Sequence, residues 1–148
     1  LLAIVKPHLA VFGQKDAQQA LVIRRMVRDL DFDTEILIGP TIREPDGLAI
    51  SSRNIYLDPE QRQEATMLYR ALQVARDLIQ AGERDAEKII QRMRNLISES
   101  PTARIDYVSI VDTDRLKPRD RISGEVLIAV AVRIGRASSR SRSSAWAI

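Results

Sequence analysis

The chain contains no cysteine, which excludes a disulfide framework and a thiolate metal site and suits a reducing, cytoplasmic setting. Its single histidine, His8, has no second histidine or cysteine to share a metal with, so it reads as structural. Aromatic residues are only 4% of the 148, which leaves the core to Ile, Leu, Val and Ala. No apolar run reaches the roughly 18 residues that a membrane-spanning helix needs. Leu1–Val5 is apolar, but Lys6 and Pro7 follow at once and no charged segment precedes it, so no signal peptide is expected. An initiator methionine is also missing, which points to a piece of a longer protein.

What is present is ordinary for a globular chain: 45% hydrophobic and 29% charged residues, with length for one good core or two small domains. The formal charge of +3 is unevenly placed. Residues 133–148 carry four arginines and no acid, whereas the remainder holds 19 basic against 20 acidic residues. The basic character therefore belongs to a tail, which argues against a nucleic-acid face on the folded part.

Leu9 to Phe12 reads as a short buried strand. After a Gly13–Asp16 turn, Ala20, Ile23, Val27 and Leu30 recur at helical spacing, reinforced by Met26. Thr34 to Ile38 is a second strand closed by Gly39-Pro40, and strand–helix–strand over about 30 residues is the size of a parallel βαβ unit. Asp58, Pro59 and Gln61 occupy the N-cap, N1 and N3 positions of a helix expected to run to about Gln80, with Gly82 ending it. Asp85 caps a second helix whose apolar face is Ile89, Ile90, Met93, Leu96 and Ile97. Ile105–Val111 alternates as a half-buried strand, and Glu125–Ile134, strongly β-branched and apolar, reads as a central strand. The fold class is therefore α/β, a parallel βαβ portion over residues 1–43 followed by a small α+β domain over 44–135. Residues 136–148, rich in Ser and Arg without apolar period, read as a disordered, atypical tail.

Two clusters carry candidate chemistry. In Asp46–Asn54, an Asp-Gly turn leads to Ser51, Ser52, Arg53 and Asn54, hydroxyls and a guanidinium suited to phosphate oxygens. By itself this stretch reads first as an ordinary polar loop. In Phe12–Gln19, Lys15 lies in a glycine-containing turn between a strand and a helix, where helix N–H groups add to its field. Asp16 can cap that helix or accept a ribose hydroxyl, and Gln19 lies one turn further on. Alone, this too is a capped surface helix, and it matches no standard phosphate-loop spacing. The topology sends both segments to the carboxyl ends of the strands, where ligands of parallel sheets gather.

The segments F-G-Q-K-D-x-Q-Q and R-E-x-D-G-L-A-x-S-S-R-N-x-Y-L, at this separation, closely resemble the pantothenate synthetase (pantoate–β-alanine ligase) family. The resemblance runs from Leu1 to about Gly135. It implies the end portion of a Rossmann-like nucleotidyltransferase domain followed by a lid domain. It also implies ligation of pantoate to β-alanine with ATP and Mg²⁺ through pantoyl adenylate, and a homodimer in the complete family protein. By the same resemblance Gly13, Gln14, Lys15 and Asp16 line the ATP site, Lys15 reaching the phosphates. Gln19 holds pantoate, Ile42 and Ile50 flank adenine largely through backbone, and Ser51, Ser52 and Arg53 grip the phosphates. Lys15, Ser51, Ser52 and Arg53 are the catalytic candidates; no residue is assigned as a metal ligand.

The family's H-x-G-H motif and a second pantoate-binding glutamine belong to an upstream segment not found here, and His8 is not their equivalent. After Arg136 the family continues toward R-L-I-D-N, whereas this chain turns to Ala137-Ser138-Ser139-Arg140. An incomplete ligase with little activity by itself is the expectation. The alternatives are another nucleotidyltransferase, such as a cytidylyltransferase, or a nucleic-acid-binding module that uses the Arg/Ser tail.

Overall fold

The structure is a computed structural model that describes residues 1–135 and the backbone of residues 142–147. The chain divides into two compact units, Leu1–Thr41 and Ile42–Ile148.

The first unit opens with a single helical turn, α1 (Leu2–Val5), which ends where Lys6 adopts a left-handed conformation. Strand β1 (Leu9–Gly13), a 3₁₀ turn over Gln14–Asp16, helix α2 (Ala17–Asp29) and strand β2 (Glu35–Gly39) follow. The strands pair in parallel from Leu9↔Glu35 to Gly13↔Gly39, so both end on glycine at the same level. Their entry is tied by Thr34, whose hydroxyl donates to the Pro7 carbonyl at 2.8 Å, and by the Glu35 N–H, which donates to the His8 carbonyl at 2.9 Å. His8 thus serves through its backbone. The buried stripe of α2 is Ala17, Ala20, Leu21 and Val27. Leu30, expected on that stripe, lies past the last helical residue and is 63% exposed. On the sheet, Ala10, Phe12, Ile36 and Ile38 are half-buried, whereas Leu9, Val11 and Leu37 on the opposite face are exposed, so β1 is not the buried strand its apolar run suggests.

The second unit contains α3 (Pro59–Ala65), α4 (Met67–Gln80), α5 (Ala86–Ile97), β3 (Ala103–Asp112), β4 (Val126–Ile134) and β5 (Arg142–Ala147). The sheet is antiparallel in the order β3–β4–β5. Ile89, Met93 and Ile97 of α5 and Leu68, Leu72 and Ala75 of α4 join Val108, Ile110, Ile128, Val130, Val132 and Ile134 in one core. Each large aliphatic side chain fully withdrawn from water contributes about 1.5–3 kcal/mol. Strand β4 is central, as its unbroken apolar run predicts.

Local signals explain the helix ends. Asp58 and Gln61 form a reciprocal capping box with Pro59 at the first helical position. After Ala81, Gly82 takes φ +99°; its N–H donates to the Ile79 carbonyl and that of Glu83 to the Leu78 carbonyl, a Schellman closure. Asp85 caps α5 by accepting from the Lys88 N–H at 3.2 Å.

Two further features depart from the sequence expectation. The single helix expected from Asp58 to Gln80 is divided at Thr66, whose hydroxyl and N–H both donate to the Gln63 carbonyl, at 2.7 and 3.2 Å. Such back-bonding by a β-branched hydroxyl residue competes with the α-helical ladder and tightens the turn. The tail expected to be disordered supplies β5 over Arg142–Ala147, because β4 offers a second edge of backbone donors and acceptors to which composition is indifferent. Residues 136–141 and 148, where the departure from the family pattern falls, lie outside the described residues.

Candidate functional site

In the first unit, the two strand ends place Gly13 and Gly39 side by side, and the chain leaves Gly13 directly into the turn that carries Lys15. Gly13 is extended, with φ −80°, and a Cβ there would meet nothing within 4 Å. Its glycine is therefore demanded by neither strain nor packing, and it leaves open approach to the backbone. The Gln14 side-chain oxygen accepts from the Thr41 N–H at 3.3 Å, tying the turn to the chain leaving β2. Asp16 stands at the N-cap of α2, yet its carboxylate makes no capping hydrogen bond. Of its two readings, capping is thus not the one realised, and the acceptor remains open. Lys15 has no ionic partner among the described residues, and Gln19 is exposed in the first turn of α2.

In the second unit, residues 42–50 form a miniature antiparallel ladder. Arg43 bridges Ala49, the Ile50 N–H donates to the Ile42 carbonyl at 3.0 Å, and the Glu44 N–H donates to the Leu48 carbonyl at 2.8 Å. Gly47 turns the chain with φ +92°, and Asp46 accepts from the Leu48 N–H at 3.1 Å. Leu48 and Ala49 are buried, which anchors the ladder. The Ile50 N–H and Ile42 carbonyl are bonded to each other, while both side chains are exposed.

Beyond the ladder, Ser51 is extended and caps a 3₁₀ turn over Ser52–Tyr56, its hydroxyl oxygen accepting from the Arg53 N–H at 3.2 Å. The Ser51 proton remains available to donate. Asn54 is occupied structurally, donating to the Ala49 carbonyl at 3.1 Å. Ser52 and Arg53 are exposed, and the Arg53 guanidinium has no ionic partner among the described residues. An unpaired guanidinium beside two hydroxyls on a braced turn suits an anionic, phosphate-bearing ligand.

The bracing residues escaped the sequence reading. From α3, Arg62 Nη1 lies 2.6 Å from Asp46 Oδ2 and Nη2 lies 3.5 Å from Glu44 Oε2. The Arg62 contact, then the Leu48 N–H, hold the Asp46 carboxyl below its usual range, and Asp46 in turn raises Arg62. Arg43 donates to the Gly47 carbonyl at 3.2 Å and stacks 4.4 Å from the Tyr69 ring centroid; its burial lowers its pKa. Only the Asp-Gly turn was visible as a signal, because the pairings of Arg62 with Asp46 and Glu44 and of Arg43 with Tyr69 join residues 16 or more apart and carry no local period. Elsewhere in this unit, a cleft of about 800 Å³ is lined by Glu83, Lys88, Asp120 and Arg121 among others, charges of both signs that favour no anion.

A parallel β–α–β unit with a lysine-bearing turn at its strand ends, followed by an α+β unit presenting Ser51, Ser52 and Arg53, makes this an α/β protein. Comparison with known proteins carries this further. The sequence profile of the pantoate-beta-alanine ligase family matches residues 1–139, and the chain belongs to that family. It is 55% identical over 137 residues to the pantothenate synthetase of Thermotoga petrophila, covering 93% of this chain and 49% of that protein. It is also similar to the crystal structure of pantothenate synthetase from Thermus thermophilus, with TM-score 0.90 and 39% identity over 99% of this chain and 51% of that one. The pantoate-beta-alanine ligase of Francisella tularensis, solved as a complex with beta-gamma ATP and beta-alanine, matches with TM-score 0.62 and 25% identity, covering 99% of this chain and 46% of that one. The chain thus spans about half the length of the relatives it matches.

Proposed function

We propose that this chain carries ATP-binding elements of a ligase that joins pantoate to β-alanine through pantoyl adenylate. The observation that carries the reading is the braced turn that presents Ser51, Ser52 and an unpaired Arg53. In the first step a pantoate carboxylate oxygen attacks the α-phosphorus of ATP and the bond to the bridging oxygen breaks, releasing pyrophosphate. In the second, the β-alanine amine attacks the acyl carbon, AMP departs, and the amine loses a proton. Charge develops on phosphate oxygens in the first step, and catalysis there is mainly positioning and electrostatic stabilisation.

In this proposal Lys15 pairs with phosphate oxygens at the turn before α2, while Gly13 permits close backbone approach and Asp16 accepts a ribose hydroxyl. Gln14 fixes that turn. Gln19 holds pantoate. Arg53, with the Ser51 and Ser52 hydroxyls, grips phosphate, and Ile42 and Ile50 flank adenine largely through backbone. Mg²⁺ would accompany ATP and screen its phosphates. Among the described residues no group of three or more His, Asp or Glu side chains is placed to hold a metal, so phosphate oxygens and water would provide most of its ligands. A homodimer and a cytoplasmic location belong to the same proposal; no described helix is long and apolar enough to cross a membrane.

Low turnover by the chain itself is part of the proposal, since it spans about half the length of its relatives. The test is to incubate the chain with MgATP, pantoate and β-alanine and quantify AMP and pyrophosphate. Slow pyrophosphate release that requires pantoate supports the ligase reading. Release requiring a phosphorylated alcohol instead would favour a cytidylyltransferase-like enzyme, and turnover matching a full-length relative would refute the low-activity expectation.

A further inference from the structure

We infer that Arg62 is a positioning residue for the Ser51–Arg53 phosphate grip, acting by clamping Asp46 and Glu44 of the ladder that leads into it. The inference rests on the ATP-site reading above and adds to it a residue on a different element. Arg62 lies in α3, one residue beyond the capping box that fixes where this helix starts. Its two terminal nitrogens face two carboxylates of the one turn that Gly47 closes, at 2.6 Å from Asp46 and 3.5 Å from Glu44. Both carboxylates belong to residues that shape the turn: Asp46 also accepts from the Leu48 N–H, and the Glu44 carbonyl accepts from the Gly47 N–H.

A planar guanidinium can span two such acceptors with one fixed geometry, which a lysine ammonium cannot do in the same way. The ladder continues through Ala49, whose carbonyl receives the Asn54 amide, so its shape passes to both ends of the Ser51–Arg53 turn. Arg62 is placed to set where the grip sits without touching the nucleotide. Its side chain remains 25% exposed, which limits the pair to a modest stabilisation. The expected effect is therefore on the ladder and on ATP, with little on the core.

The test compares the chain with its Arg62→Met and Arg62→Lys variants by amide hydrogen exchange, with and without MgATP. In Arg62→Met, exchange at Glu44, Gly47 and Leu48 should quicken roughly two- to fivefold, while β4 amides keep the parent rate. MgATP protection of residues 51–54 should weaken by a similar factor, and Arg62→Lys should restore part of both. Unchanged ladder exchange, ladder and β4 exchange quickening together, or MgATP binding at parental strength in Arg62→Met would each overturn the inference alone. Should Arg62→Met not fold, Arg62→Lys carries the same comparison, with an intermediate loss expected and a parental profile overturning it. Absence of MgATP protection in the unsubstituted chain would instead overturn the ATP-site reading, and this role for Arg62 with it.

Discussion

Replacing Gly47 by alanine tests the geometry of the ladder most directly. At φ +92° an L-residue is strained, and the added Cβ would lie 2.1 Å from Tyr69 Cδ1 and 2.8 Å from Cε1. The ring cannot swing away freely, because Arg43 stacks on it at 4.4 Å. The backbone conformation should cost about 1–3 kcal/mol and the overpacking about 1–3 kcal/mol. Urea unfolding of Gly47→Ala followed by far-UV circular dichroism should therefore show a loss of about 2–6 kcal/mol. In a Tyr69→Ala background the steric part disappears, and the same substitution should cost only the backbone part, about 1–3 kcal/mol. A Gly47→Ala variant within about 0.5 kcal/mol of its parent would refute the reasoning altogether. An equal penalty in both backgrounds would refute the clash with Tyr69.

Hydrogen bonds hold Asp46, Glu83 and Asp112 below the ordinary carboxylate range; for Asp112 the largest contribution is the Arg115 N–H, joined by that of Lys117. A depressed folded-state pKa contributes stability that is present above the unfolded value and lost as pH falls through the folded one. The urea midpoint should accordingly drop as pH falls below about 4, and Asp112→Asn should lower the neutral midpoint and flatten that drop; a steeper drop in the variant would contradict it. Arg53→Ala and Lys15→Ala should each weaken MgATP binding roughly 10- to 100-fold by calorimetry while leaving stability within about 0.5 kcal/mol. Undiminished binding in both would remove these residues from the site. Met93→Ala, at a position with no exposure, should cost about 2–5 kcal/mol in urea unfolding; a loss under about 1 kcal/mol would mean that the α5 core closes over the gap.

Much of the α/β architecture is written in short-range chemistry. Asp58, Pro59 and Gln61 announce a helix start because the cap, the fixed φ and the returning amide all act within four residues. Gly82 announces an end because only a left-handed residue completes the closure there. The apolar run through β4 marks a central strand because both its faces must be dry. The division at Thr66 was not legible, since one hydroxyl decides between continuing and tightening the turn. Strand β5 was hidden for the opposite reason: its backbone pairs with β4 regardless of a Ser- and Arg-rich composition. At the candidate site, residue types pointed to phosphate chemistry, but not to which groups were already engaged. The Ile42–Ile50 hydrogen bond, the uncapped Asp16 carboxylate and the Arg62 clamp all depend on backbone geometry or distant pairing.

The Schellman closure at Gly82 also bears on how quickly the second unit assembles. It joins α4 to α5 through Ala81–Asp85, so the two helices can meet after closing a very short loop, an event on the order of 10–100 ns. Strands β3 and β4 must wait for the 13-residue connection between Asp112 and Val126, and hairpin formation takes on the order of 1–10 μs. The helical pair is thus the natural early template on which the sheet condenses. Lengthening the Ala81–Asp85 connection should slow refolding, while changes within the 113–125 connection should act mainly on unfolding.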